Sequence, residues 1–386
     1  MCVALLKCQN MVKICVYLFI FCLVAVINYQ LHLTARTEEL KILRDQYIAK
    51  EETELETIGY EILGNNEIKY NVRDNPRIAI VTIVREISQA TSYDIAISTV
   101  KCYAKIQGYH YILAEERDFD CNHEDRFFRR HCIVARILPS FDAVLFIDAD
   151  MGVVYPKRRI EEYMYQDYDL IFYDRFYNWE IMAGSYLAMN TPYAIKFLND
   201  FADYERTLPN SFHGTDNGAL HFFIAERYFP EEMFTIDLCR KPYLRSRNFY
   251  DVFTYESCLR TLFGARTNFD RIKVLKKGTG WARDSWLLNS VWNKEIGDFM
   301  FHSWKNSQIH TIPNRRILPR RSSMYEWYNP LSGPIHLDLC HPKNMTWNYD
   351  ERLMGDPEEM MDELTSIRNR VTVEQFYSLF RMNMYM

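Results

Sequence analysis

The chain has 386 residues, of which 48% are hydrophobic and 25% are charged. This is a globular composition with room for one large or two ordinary domains. The formal net charge is −5, so the concentrated basic surface of a nucleic-acid-binding protein is not expected.

The first segment has the features of a membrane anchor. Residues 1–37 contain no Asp or Glu, and Lys7 and Lys13 precede an unbroken apolar run over residues 14–27. Extended to residue 33, this run reaches the roughly 20 residues of a membrane-spanning helix. We predict a cytosolic tail over residues 1–13 and a transmembrane anchor over residues 14–33. A cleaved signal peptide, which would yield a secreted protein, is the alternative.

Residues 34–75 are rich in charge, and the spacing of Leu40, Leu43 and Tyr47 predicts a helical stem that could join two copies of the chain. A solvated linker is the alternative. Asn75-Pro76 marks a boundary, after which we expect a main domain over residues 76–310 and a C-terminal extension over residues 311–386.

Cysteine usage agrees with a chain that enters the secretory pathway. An even number of cysteines follows the apolar segment, which allows three disulfides in an oxidising compartment and leaves their pairing open. They are Cys102, Cys121, Cys132, Cys239, Cys258 and Cys340. Asn344-Met345-Thr346 is an N-glycosylation sequon.

The main domain begins with alternating strands and helices. Apolar, β-branched runs predict strands over residues 78–84, 109–114, 143–147, 169–173 and 183–189. Helices are predicted over residues 92–107, 127–138 and 219–226, with another opening at Thr191-Pro192. Strand, helix, strand is the unit of a parallel sheet, so we predict an α/β fold with a mostly parallel, Rossmann-like sheet flanked by helices. Residues 229–279 give mixed signals, and the tail is irregular until an acidic helix near Asp356.

The predicted strand over residues 143–147 ends in Asp148-Ala149-Asp150. On an extended chain both carboxylates would point to the same side, at the edge where open α/β sheets bind ligands. Such oxygen ligands select Mg²⁺ or Mn²⁺ over softer metals, and the cation could bridge a nucleotide diphosphate. Two aspartates that cap a loop are the alternative. No G-x-G-x-x-G follows the first strand, which argues against a dinucleotide-binding domain.

With this D-x-D motif, residues 78–305 resemble the metal-dependent GT-A glycosyltransferases, which have a nucleotide-binding first strand, a D-x-D after a later strand and a late histidine. The layout is most similar to the α-galactosyltransferase, α-mannosyltransferase and xyloglucan xylosyltransferase group and to the glycogenin-like enzymes. It also resembles a nematode-expanded family labelled a domain of unknown function. The resemblance implies a GT-A fold. Together with the predicted anchor and the cytosolic position of its lysines, it predicts a single-pass type II protein of the Golgi or endoplasmic reticulum membrane, with its catalytic part in the lumen.

The resemblance also implies a metal site. Asp148, Asp150 and His302 would hold Mn²⁺ or Mg²⁺, and an imidazole ligand suits Mn²⁺ better. Lys305, in His302-Ser303-Trp304-Lys305, resembles a lysine that meets the diphosphate, although Ser-Trp replaces the family's usual glycine. An exposed polar pair after a strand is the alternative for His302 and Lys305.

Further positions would contact the donor or the acceptor. Gly184 and Ser185 resemble the small-residue segment beside the donor sugar, with a β-bulge as the alternative. Asp216 and Asn217 resemble a catalytic pair near the reacting carbon or acceptor hydroxyl, with a helix N-cap as the alternative. Arg85, after the first strand, would contact the nucleotide or be a surface charge. A solvated helical face is favoured over phosphate contacts for three arginines, Arg129, Arg130 and Arg136.

Together these features predict a glycosyltransferase that moves a hexose or pentose from a nucleotide sugar, UDP-linked before GDP-linked, to a glycan or glycoprotein. A haloacid-dehalogenase-like phosphatase with Asp148 as nucleophile is a second interpretation, because its D-x-D also follows a strand. The sequence lacks that family's downstream lysine and paired-aspartate motif. A non-catalytic lumenal carbohydrate-binding protein on the same fold is the third.

Overall fold

The computed structural model describes residues 76–323 and 326–385. The predicted cytosolic tail, membrane anchor and stem, residues 1–75, lie outside the described residues. Within the described ranges, no helix has both the length and the apolar character that crossing a bilayer requires.

The described part of the chain contains strands and α-helices joined by short 3-10 turns. The strands are β1 (Ile78–Val84), β2 (His110–Glu115), β3 (Ala143–Ile147), β4 (Gly152–Val153), β5 (Leu170–Tyr173), β6 (Ser185–Met189), β7 (Asn268–Phe269), β8 (Ile272–Leu275), β9 (Ala282–Asp284) and β10 (Met300–His302). The helices are α1 (Asp94–Gln107), α2 (Arg126–Ile137), α3 (Pro192–Asp203), α4 (Thr215–Tyr228), α5 (Met233–Arg245), α6 (Phe249–Phe263) and α7 (Pro357–Phe380).

Seven strands form the central sheet in the order β2-β1-β3-β6-β5-β8-β7. β1 is parallel to β2 and β3, and β5 is parallel to β8. β6 runs antiparallel between β3 and β5, and β7 runs antiparallel to β8. All strands except β6 and β7 therefore point the same way, which confirms a mostly parallel sheet. The finer GT-A assignment stays a prediction.

The central strands are buried on both faces. All five residues of β3 are buried, as expected for a strand of continuous apolar sequence that helices cover from two sides. One face packs against α2, α3, α4 and α6 through a core that includes Phe128, Phe197 and Tyr255. The other face packs against α1 through Val100 and Tyr103. The helices on both faces hold the sheet in place. The carboxyl ends of the parallel strands β1, β3, β5 and β8 therefore lie together at one edge of the sheet.

Most predicted elements occur within a few residues of their predicted bounds. The helix predicted over residues 219–226 begins earlier, at Thr215. The predicted acidic helix near Asp356 is α7, and its N-cap Asp356 accepts a hydrogen bond from the Glu359 backbone N–H. The region of mixed signals contains α5, α6, β7 and β8, which the sequence did not predict. Pro242 lies inside α5. Because proline normally interrupts a helix, the sequence pattern of this segment does not indicate a helix.

A second, three-stranded sheet has the order β4-β10-β9. β10 is antiparallel to β4 and parallel to β9. Because β4 follows the D-x-D segment directly, this small sheet brings the end of β10 back to β3. The C-terminal extension packs on this small sheet through Trp327, which shares a buried cluster with Phe301 of β10, and its helix α7 contacts α6.

All six cysteines of the described part form disulfides. The pairs are Cys102–Cys340, Cys121–Cys132 and Cys239–Cys258. The second tethers the loop before α2 to that helix, and the third joins α5 to α6. The first joins α1 to the C-terminal extension across 238 residues of sequence.

Candidate metal centre

Asp148 and Asp150 lie in a turn. β3 ends at Ile147, and the Met151 N–H donates a hydrogen bond to the Asp148 carbonyl at 3.0 Å. The expectation that alternation along an extended strand places both carboxylates on one side is therefore wrong. The turn brings the two side chains together at the carboxyl edge of the sheet, where parallel strands usually present ligand-binding groups.

His302, the last residue of β10, reaches this turn. Its Nε2 lies 3.3 Å from Asp150 Oδ1, and one ligand atom from each of Asp148, Asp150 and His302 lies within 4.8 Å of the others. Two carboxylate oxygens and one imidazole nitrogen are a donor set that fits Mn²⁺. The three residues predicted as metal ligands thus form one cluster that could bind a metal ion, and the identity of the ion stays a prediction.

The charges in this cluster are tightly paired. Burial alone would raise the pKa of Asp150, but His302 and then Lys305 lower it to about 2. Burial would lower the pKa of His302, and Asp150 and Asp284 raise it to about 10. Burial also raises the pKa of Asp148 against the opposing charge of Arg130. Without a metal, His302 therefore carries a proton between two carboxylates, and a metal that takes Nε2 must release that proton.

The segment after β10 is fixed onto the D-x-D turn. The Trp304 N–H donates to the Asp150 carbonyl at 2.8 Å, and the Trp304 ring occupies the space beside Gly152, where a Cβ would lie 2.3 Å from it. Ser303 has a φ of +76°, a left-handed conformation that glycine adopts more easily. Lys305 then lies with Nζ 3.5 Å from Asp150 Oδ2 and its side chain 39% exposed.

Arg130, on α2, lies behind Asp148. Its Nη1 donates to Asp148 Oδ1, and its Nε and Nη2 donate to Asp216 Oδ2. The expected solvated position for this arginine is wrong, because the buried Asp216 and the partly exposed Asp148 both bind its guanidinium, and its side chain is 10% exposed. Arg129, next to it, instead pairs with Glu116 at 2.8 Å. Both arginines follow the same pair of phenylalanines, so only the tertiary position of Asp216 distinguishes them.

Asp216 and Asn217 lie in the first turn of α4. The Asp216 side chain is 0% exposed, and its Oδ2 also accepts a hydrogen bond from His131 Nε2 at 3.1 Å. Burial would raise the pKa of Asp216, but Arg130 and His131 lower it to about 2. The N-cap alternative is wrong, because Gly214 occupies that position. Asn217 Oδ1 accepts from the Ala183 N–H at 2.8 Å. The pair thus anchors neighbouring groups, and a direct catalytic role stays a prediction.

Gly184 lies against Asp148, in the turn before β6. A Cβ on Gly184 would lie 2.2 Å from Asp148 Oδ2, so this close approach requires glycine. The position precedes the strand and is not a β-bulge. Ser185, the first residue of β6, accepts a hydrogen bond from Trp281 Nε1 at 2.9 Å. Arg85 is exposed after β1, at the same sheet edge as Asp148, and its contact with a nucleotide stays a prediction.

Two residues behind His302 were not predicted from the sequence. Asp284, at the end of β9, accepts a hydrogen bond from His302 Nδ1 at 2.8 Å. Arg175, two residues after β5, donates from Nη2 to the same Asp284 oxygen at 2.8 Å. No motif marks either residue, because each meets His302 only through the pairing of β9 with β10 and the end of β5.

The family model described as "Protein of unknown function, DUF273" matches residues 100–319, more than half of the 386-residue chain. The chain belongs to this DUF273 family. The matched region of this DUF273 protein contains the whole candidate centre, from Arg130 on α2 to Lys305.

No curated protein matches the chain. Among solved structures, the chain is similar to a glycosyltransferase involved in the glycosylation of the major capsid of PBCV-1, with 14% identity, a TM-score of 0.34, and coverage of 59% of this chain and 92% of that one. It is also similar to A197 from STIV, with 11% identity, a TM-score of 0.22, and coverage of 32% of this chain and 67% of that one. Similarities at these TM-scores do not establish a shared fold.

Proposed function

We propose that the protein is a metal-dependent glycosyltransferase that moves a hexose or pentose from a nucleotide sugar, preferably UDP-linked, to a glycan or glycoprotein acceptor. The observation that carries this proposal is the cluster of Asp148, Asp150 and His302 at the carboxyl edge of a mostly parallel sheet. The cluster combines two oxygen ligands with one nitrogen ligand beside a partly exposed lysine, as binding of a metal and a diphosphate requires.

Three side chains would hold the metal, through one oxygen each from Asp148 and Asp150 and through His302 Nε2. A bound Mn²⁺ would neutralise the negative charge that develops on the departing nucleotide diphosphate. The Lys305 side chain lies beside Asp150 and is 39% exposed, so we assign it to the diphosphate. Arg130 is unsuited to this contact, because its guanidinium is already bound to Asp148 and Asp216.

The remaining predicted residues would position these groups. Asp216 holds Arg130, which in turn holds Asp148, while Asn217 fixes the backbone of the turn that contains Gly184. This turn brings the backbone against the Asp148 carboxylate, and a contact of Gly184 and Ser185 with the donor sugar belongs to the same proposal. Arg85 is assigned to the nucleotide because it follows a strand parallel and adjacent to β3.

We further propose a lumenal location in the Golgi or endoplasmic reticulum. The three disulfides support it, because disulfides persist in oxidising compartments. Attachment to the membrane through residues 14–33 and pairing of two copies through residues 34–75 belong to the same proposal.

The test uses the full-length protein in detergent, supplied with Mn²⁺ and a panel of nucleotide sugars. Release of free nucleotide from at least one donor is expected. Asp150→Ala should lower turnover by about 10²–10³-fold, the scale of losing one electrostatic stabiliser. Asp142→Ala, just before β3 and away from the cluster, is the control and should retain activity.

Other outcomes separate the alternative functions. Mn²⁺-dependent binding of UDP without release from any donor would support a carbohydrate-binding protein. Phosphate covalently captured on Asp148 would support the phosphatase. Wild-type turnover in Asp150→Ala would show that the D-x-D turn is not the metal site.

A further inference from the structure

We propose that Asp284 is a positioning residue of the metal centre, which orients the His302 ring so that Nε2 faces the two aspartates, and that Arg175 holds Asp284 in place. This inference rests on the proposed metal-dependent function for its biological meaning. The hydrogen bond between Asp284 and His302 can be tested without any substrate.

The two strands of the small sheet set the contact. β9 and β10 are parallel, and His302 is the register partner of Asp284. Their side chains therefore extend from neighbouring positions, with Asp284 Oδ1 2.8 Å from His302 Nδ1. The opposite ring nitrogen, Nε2, lies 3.3 Å from Asp150 Oδ1. The imidazole thus lies between a carboxylate of the small sheet and a carboxylate of the D-x-D turn.

This arrangement assigns a proton to Nδ1. An ionised carboxylate only accepts hydrogen bonds, so Nδ1 must donate to Asp284, and Nε2 is the nitrogen that gives up its proton when a metal binds. Arg175 Nη2 also lies near Nδ1, at 3.4 Å, and would favour the opposite tautomer if it were the partner. That distance exceeds the usual 2.7–3.2 Å range of hydrogen bonds, so Asp284 determines the orientation.

Arg175 compensates the buried charge of Asp284. Asp284 is 3% exposed, and a buried carboxylate without a partner is strongly unfavourable. Arg175 donates to Asp284 Oδ1 at 2.8 Å and lies 3.6 Å from Glu180 Oε2 on its other side. Glu180 is also buried, and its backbone N–H donates to Asn178 Oδ1 at 3.2 Å. The pairing fixes Asp284 from behind, so its oxygen cannot follow a rotating imidazole.

Residues that orient a metal-binding histidine in this way typically contribute 10–100-fold to metal affinity. A purely structural carboxylate would contribute to stability alone. The two roles separate with Asp284→Ala and Asp284→Asn, because a single oxygen, Oδ1, accepts from both His302 and Arg175. An asparagine oxygen can occupy the same position and retain both contacts without the negative charge.

The matched control is Asp169→Asn. Asp169 is also 3% exposed and also pairs with an arginine, Arg271. It lies just before β5, at the sheet edge opposite the centre, so it should affect stability without affecting His302.

The first measurement is Mn²⁺ affinity of the full-length protein in detergent, by electron paramagnetic resonance of free Mn²⁺. Asp284→Ala should weaken binding by about 10–100-fold, Asp284→Asn by less, and Asp169→Asn by no more than twofold. Unfolding by denaturant, measured on the same samples, verifies that each variant is folded.

The second measurement needs no metal. In protein labelled with ¹⁵N-histidine, the hydrogen-bonded Nδ1–H proton of His302 should exchange slowly with water, and His302→Gln assigns its signal. The proton should persist in Asp284→Asn and Asp169→Asn and should be lost in Asp284→Ala.

The outcomes decide the proposal independently of the function. Retention of both the slow proton and wild-type Mn²⁺ affinity in Asp284→Ala would overturn it, as would an equal loss of affinity in Asp169→Asn. If Asp284→Ala does not fold, two other results decide the proposal. The Mn²⁺ affinity of Asp284→Asn should be lower than that of the wild type, and the slowly exchanging Nδ1 proton of His302 should be present in the wild type. Absence of Mn²⁺ binding by the wild type would refute the proposed function, while the proton measurement still decides whether Asp284 orients His302.

Discussion

A methyl group added at Gly184 should displace Asp148 from the metal centre. The Cβ of Gly184→Ala would lie 2.2 Å from Asp148 Oδ2 and 2.9 Å from Cγ, whereas ordinary contact begins at 3.4 Å. The carboxylate oxygen must therefore move by about 1 Å, and metal ligands tolerate only about 0.2 Å. We expect at least the about 10–100-fold loss of Mn²⁺ affinity that follows from disturbing a ligand's support, and about 1–3 kcal/mol of lost stability from overpacking.

Gly355→Ala is the control for this experiment. Its Cβ would be similarly crowded, at 2.4 Å from Met360 Sδ and 2.5 Å from Val291 Cγ1, but it lies in the C-terminal extension. Mn²⁺ titration and denaturant unfolding of both variants should show comparable destabilisation and lost metal affinity in Gly184→Ala alone. Wild-type Mn²⁺ affinity in a folded Gly184→Ala would refute the placement of Asp148 in the metal centre.

Two further predictions concern buried charge. Arg130→Met leaves the fully buried Asp216 and the partly exposed Asp148 without their shared cation and should lower the free energy of unfolding by about 3–5 kcal/mol, measured by denaturant unfolding. Arg129→Met, which removes a more exposed pair, should cost about 1 kcal/mol or less, and equal losses in the two variants would contradict the assignment. Glu256 is buried, and burial raises its pKa well above the usual 4.5. The folded protein therefore keeps this proton at pH values where the unfolded chain has lost it, so the contribution of Glu256 to wild-type stability falls as pH rises above about 4.5. The stability of Glu256→Gln relative to wild type should then increase from pH 5 to pH 8; a constant difference across this range would show that Glu256 titrates normally.

The sequence predicts the parts of the fold whose burial is simple. β1 and β3 are almost entirely apolar runs that helices cover on both faces of the sheet, and both occur at their predicted bounds. α5 was missed because Pro242 interrupts its pattern, while its packing on α6 and the disulfide Cys239–Cys258 hold it helical. Local patterns thus identify an element only where tertiary contacts do not override them.

The sequence predicted those residues of the candidate centre that belong to a recognisable motif. Resemblance to a family suggested that His302 joins the D-x-D residues, and the structure places it beside Asp150. Arg130, Arg175 and Asp284 could not be predicted, because each is defined by a partner from a distant strand or helix. Such non-local pairs leave no spacing in the sequence, and the residue types alone occur equally on solvated surfaces.

The disulfide between α1 and the C-terminal extension has a consequence for biosynthesis. At ordinary translation rates of 5–20 residues per second, Cys340 is made about 10–50 s after Cys102, since 238 residues separate them. Cys121 and Cys132 appear far sooner, so Cys102 first meets thiols that are not its final partner. Any disulfide that Cys102 forms with one of these thiols must be broken by thiol–disulfide exchange before it can pair with Cys340, so the yield of mature protein should depend on a disulfide isomerase. Trp327, whose Nε1 donates to the Lys305 carbonyl at 2.8 Å, is also synthesised after the centre's own residues, so a later part of the chain completes the support of the centre.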